Sequence, residues 1–100
     1  MQSAKQLTLQ EALGLYVSTL KTEDEASRAQ QHALKFVHWF GADQAMSGLR
    51  PPEVGDYSEQ AGRGGAQAVE HLQEVKRFLS FAKKKGLIEG PLARHVRIPK

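Results

Sequence analysis

Apolar residues recur along this chain at three- and four-residue intervals, and no stretch alternates apolar with polar over the length of a strand. The pattern predicts an all-α protein. A first helix starts at Thr8, where Thr8 and Glu11 have the spacing of a capping box. Leu9, Leu13, Tyr16, Val17 and Leu20 then share one face, and the polar run 21–25 ends it. A second helix is expected over about Ser27–Phe40, with Ala29, Ala33, Phe36, Val37 and Phe40 buried, Leu34 and Trp39 on the margins, and Gly41 as the stop. It carries the only tryptophan and two of the four phenylalanines, so it should be central to the core.

Pro51 and Pro52 suit the first turn of a short third helix, about Pro52–Gln60, burying Val54 and Tyr57. Gly62-Arg63-Gly64-Gly65 reads as a loop, since each glycine costs ~1 kcal/mol in a helix relative to alanine. The fourth helix is the longest, about Ala66–Lys85. Ala68, Leu72, Val75, Leu79 and Ala82 form its stripe, with Phe78 and Phe81 at the edge and Gly86 as terminator. Leu87, Ile88 and Leu92 are expected to fold back on the bundle. This divides the chain into one domain, 1–92, and an extended basic linker, 93–100.

Composition narrows the setting. There is no cysteine, which removes disulfides and thiolate metal sites and fits a reducing cytoplasm. No apolar run approaches the ~20 residues of a membrane span, and residues 1–5 lack the layout of a signal peptide. Charge is lopsided. Residues 76–100 hold eight basic side chains against Glu89, a balance of +7, whereas residues 1–75 hold six basic and ten acidic, a balance of −4. Such asymmetry favours a polyanionic partner over part of the surface, although a solubilising helix face produces it too.

Candidate chemistry is sparse. His32 and His38 are six residues apart and do not share a helix face, and no metal-binding histidine motif joins them, His71 or His95. No serine lies in a nucleophile elbow, and the glycines around Arg63 follow no strand. The expectation is no catalytic residue, no metal, no cofactor and no small-molecule ligand. What remains is polar and basic residues near helix amino termini: Arg28, Gln31 and Lys35 on the second helix, Arg63 in the loop, and Gln67, Glu70 and His71 on the fourth. Free amides and the helix dipole favour phosphate there, and arginine and glutamine pair with base edges. Ordinary solvated helix ends are the other reading.

Several segments, taken in order, resemble one family. They are Leu7-Thr8-Leu9 with Tyr16 and Leu20, the aromatic-rich run 34–40, Pro51-Pro52-Glu53-Val54-Gly55-Asp56-Tyr57, the run 71–88, and Gly90-Pro91-Leu92 with Val96-Arg97-Ile98-Pro99-Lys100. Together they are similar to the amino-terminal core-binding domain of tyrosine recombinases, the family of phage integrases and Xer- and Cre-like enzymes. The resemblance implies a SAM-like orthogonal bundle of four short helices. Such a bundle closes over one side of double-stranded DNA, with its second and fourth helices facing the major groove, and touches neighbouring recombinase protomers. By position it points to Ser27, Arg28, Gln31, Gln67 and Glu70 as DNA contacts; charge and location add Lys35, Arg63 and His71. Where the family often has a threonine and then asparagine-arginine, this chain has Ala68 and Glu70-His71, and an acid there repels phosphate while accepting from a cytosine amino group. The family's catalytic residues are absent, so this chain is expected not to be an enzyme, with DNA cleavage left to a further domain. A SAM-like protein-interaction module with no DNA role is the alternative.

Overall fold

The computed structural model describes residues 7–64, 66–88, 90 and 92–96. The features read at residues 1–5, 65, 89, 91 and 97–100, including the second half of the basic linker, lie outside the described residues. The described chain forms α1 (Leu9–Ser18), α2 (Glu23–Phe40), α3 (Pro51–Ala61) and α4 (Ala66–Lys84), with short 3-10 turns at Met46–Gly48, Gly62–Gly64 and Leu92–His95.

The capping box opens α1 as expected: the Glu11 amide donates to the Thr8 hydroxyl at 3.2 Å, and the Thr8 amide donates back to the Glu11 carboxylate at 3.0 Å. Two more amides at this end find partners in the α2–α3 connection, Leu9 N–H to the Gln44 carbonyl at 2.9 Å and Gln10 N–H to that of Ala42 at 3.2 Å. This connection therefore lies across the start of α1, and it buries Met46 completely.

α2 departs from expectation at its start. It begins at Glu23, a full turn before Ser27, with the Thr22 hydroxyl accepting from the Glu25 amide at 3.1 Å. The run 21–25 is polar enough to look like a break, yet it supplies an N-cap and then three acids where the helix dipole favours them. Its turn lacks apolar residues because it is exposed to solvent. The other end follows the sequence: Gly41 takes φ 110°, a value side-chain-bearing residues rarely adopt.

α4 closes on a Schellman motif. The Leu87 amide donates to the Ala82 carbonyl at 2.8 Å and the Gly86 amide to that of Lys83 at 3.0 Å, with Gly86 at φ 77°. The reversal turns Leu87 and Ile88 back onto the bundle, where both are buried. Packing continues through Leu92 and Val96, which are both buried.

α4 packs against α1, α2, α3 and the Leu92–His95 turn. Its stripe of Ala68, Leu72, Val75, Leu79 and Ala82 is buried as expected, and Phe78, placed by the sequence at the margin, is fully buried as well. The rings of Tyr16 on α1 and Phe36 on α2 close over it, with centroids 5.7 and 6.2 Å away. Phe36 also meets Phe40 and Tyr57 edge-on at 4.7 and 5.0 Å. Trp39 by contrast stays 45% exposed at the rim of this cluster.

Among the described residues, one carboxylate lies inside. Glu74 is 6% exposed, accepts from Arg77 at 2.8 Å, and faces the Tyr16 hydroxyl at 3.5 Å. Burial, and then the charge of Glu74, push the Tyr16 phenol up to about 12.

Candidate nucleic-acid interface

α2 packs against α4, and their solvent-facing margins meet in an open recess. α2 supplies Asp24, Ser27, Arg28, Gln31 and His32, and α4 supplies Gln67 and Glu70. Five of the eight candidate residues, distant in sequence, are thus brought together. Arg28 reaches Glu70 across the recess, with Nε 3.5 Å from the carboxylate. Both side chains are more than half exposed, so the pair contributes at most about 1 kcal/mol and opens easily. Its effect is to hold one cation over the recess while cancelling its charge.

A second groove adjoins the first. His32, Lys35 and Trp39 from α2, Tyr57 and Gln60 from α3, and Gln67 and His71 from α4 line it. His32 and Gln67 border both hollows, which makes the surface continuous. Gln60 links the groove to a further hollow that contains Arg63. Arg63 itself sits in the Gly62–Gly64 turn, highly exposed and 3.8 Å from Glu59. All eight candidates therefore lie along one strip.

His71 behaves differently from the other seven. It is half-buried, its Nε2 is hydrogen-bonded to the Tyr57 hydroxyl, and its Nδ1 lies 3.1 Å from His32 Nδ1. Burial, then the nearby His32 and Lys35, bring its pKa down to about 4, so the ring is neutral at pH 7. Burial likewise raises the Tyr57 phenol to about 12, which keeps its proton in place.

The direction of this chain of bonds follows from counting protons. If Tyr57 donates to His71 Nε2, His71 carries its hydrogen on Nδ1 and donates to His32 Nδ1, and His32 keeps its hydrogen on Nε2. In the reverse order the buried Tyr57 hydroxyl would accept, and its own proton would have no acceptor among the described residues. With Tyr57 only 6% exposed, such an orphan costs up to about 1–3 kcal/mol, which favours the first order. His71 is thus a positioning residue held between two partners. Spacing within one helix could not show this, because the neighbour of His32 comes from another element.

Electrostatics alter two expectations. Arg28 and Gln31 lie in the second and third turns of α2, since that helix starts at Glu23. The amides of its first turn face Glu23, Asp24 and Glu25, which disfavour phosphate. Along the strip, Arg28, Lys35 and Arg63 face Asp24, Asp56, Glu59 and Glu70, so the face is close to neutral with a formal balance of −1. The lysine-rich part of the chain lies elsewhere. Lys83 and Lys84 are at the carboxyl end of α4, about 25 Å along the helix from Gln67 at 1.5 Å per residue.

Among the described residues, no three His, Asp or Glu side chains are placed to hold a metal ion, and no helix is long and apolar enough to cross a membrane. No protein-family model and no curated protein matches the sequence. Among solved structures, the chain is similar to the N-terminal domain of a phage integrase/site-specific recombinase from Haloarcula marismortui. The TM-score is 0.80 over 94% of this chain and 98% of that one, at 20% sequence identity. The four-helix fold of this chain is therefore that of an integrase N-terminal domain.

Proposed function

We propose that the chain is the DNA-binding module of a site-specific tyrosine recombinase, clamping double-stranded target DNA during integration or recombination. The observation that carries the reading is the joined face of α2 and α4. There Ser27, Arg28, Gln31, Gln67 and Glu70 gather on one surface of a fold shared with an integrase N-terminal domain. Lys35 and Arg63 extend that surface, and His71 supports it from below. Arginine and two glutamines are the side chains best shaped for paired hydrogen bonds to base edges. The module performs no chemistry. Strand cleavage belongs to a catalytic domain of the parent enzyme, whose other protomers are the expected protein partners.

A helical protein-interaction module is the second reading. It is favoured by the half-exposed Trp39 beside the groove and by the near-neutral charge of the strip. Titration of a labelled duplex at two salt concentrations separates the two. Salt-weakened duplex binding that is lost in the charge reversals Arg28→Glu and Arg63→Glu supports the DNA clamp. A duplex left unbound at low salt leaves the interaction module.

A further inference from the structure

His32 stands where the two hollows of the α2–α4 face meet. Its Nδ1 is turned toward His71, so its Nε2 lies on the far side of the ring from that bond. The proton order from Tyr57 through His71 leaves hydrogen on this Nε2, which makes no hydrogen bond to any described residue. No buried side-chain nitrogen or oxygen among the described residues lacks a partner, so this N–H is open to solvent. An isolated imidazole exchanges tautomers and can present either a donor or an acceptor. Here the relay from Tyr57 through His71 holds it as a donor.

The surroundings say what such a donor suits. Asp24 and Glu70 border the same recess and only Arg28 offsets them, which disfavours phosphate. Base edges carry no net charge, and Gln31 and Gln67 flank the imidazole with amides suited to them. Guanine offers two neighbouring major-groove acceptors, O6 and N7; adenine and thymine offer one each, beside an amino donor or a methyl group, and cytosine offers an amino donor that a fixed N–H donor repels.

We propose that His32 is a specificity-determining residue of this face, its Nε2–H donating to a guanine edge in the major groove, with His71 and Tyr57 as the positioning residues that fix its tautomer. The inference rests on the DNA-binding reading and goes beyond it by naming a base and the device that selects it.

Two measurements on the 100-residue chain test it. Long-range proton–nitrogen NMR near pH 7, without DNA, is expected to show His32 protonated on Nε2 and His71 on Nδ1. Tyr57→Phe should then release His71 into mixed tautomers. A His32 ring protonated on Nδ1 overturns the proposal whatever the chain binds. The second measurement selects duplexes from a library with a randomised core, then compares the wild type with His32→Ala and His32→Gln on the recovered sequence. His32→Ala is expected to lose a guanine preference at one position, about tenfold. His32→Gln, which keeps a donor, should retain part of that preference and shows that the loss is not unfolding. An unchanged preference in both variants overturns the role of His32 and leaves the clamp standing. If the wild type selects no duplex at all, the DNA reading falls and this proposal falls with it.

Discussion

Glu70→Gln removes one negative charge from the centre of the candidate face and frees Arg28, whose Nε lies 3.5 Å from that carboxylate. The strip holds three cations, and Arg28 and Arg63 each have a carboxylate partner. Each phosphate neutralised adds about −0.9 to the slope of log affinity against log salt. Lys35 alone gives a slope of about −0.9, and all three cations give about −2.7. Raising salt from about 50 to about 200 mM should then weaken the wild type by roughly 3- to 40-fold, far less than a surface making many phosphate contacts. Freeing Arg28 in Glu70→Gln should steepen the slope by about 0.9. Loss of a charge about 7 Å from a phosphate, at the dielectric of water that suits this exposed side chain, contributes roughly 0.6 kcal/mol, or about threefold in affinity. Fluorescence anisotropy with a labelled duplex at several ionic strengths reads both quantities. A wild-type slope steeper than about −5 would mean that the lysine-rich end of α4 makes the contact. Unchanged affinity and slope in Glu70→Gln would refute the placing of this carboxylate against DNA.

Further outcomes follow from the same geometry. Phe36→Ala empties the centre of the aromatic cluster and should cost about 3–5 kcal/mol, lowering Tm by about 12 °C or more in a calorimetric scan. Thr22→Ala should cost about 0.5–2 kcal/mol and speed amide exchange over residues 23–26, because α2 starts at that cap. His71 is held neutral with a pKa of about 4 against 6.5 in the unfolded chain, so the unfolded state binds more protons between those values. Its contribution to stability is full above pH 6.5 and is lost as pH falls toward about 4; urea midpoints should show this limb, and His71→Gln should flatten it. Tyr16 and Tyr57, the only tyrosines, are both raised to about 12, so absorbance at 295 nm should show little tyrosinate until near that pH or until the fold opens.

The fold was legible from one sequence because its signals are local. Thr8 with Glu11, Pro51 and Pro52, Gly41 and Gly86 mark helix ends through backbone geometry that depends on few neighbours. The spacing of Leu72, Val75, Leu79 and Ala82 names a core face whatever packs on it. The start of α2 was hidden because its first turn buries nothing, and polarity resembles a break when no apolar face accompanies it. Phe78 read as marginal because the rings that cover it, Tyr16 and Phe36, come from two other helices.

What the sequence determined alone was therefore an all-α chain, its helix boundaries to within about a turn, most of its core and a pool of polar candidates. Only the tertiary structure decided which of those candidates meet. It joined Arg28 to Glu70, set His32 against His71, and left the Lys83 and Lys84 end of α4 away from that face. The physical reason is range. Capping and periodicity act over three or four residues, whereas charge balance and tautomer depend on side chains brought together from helices tens of residues apart.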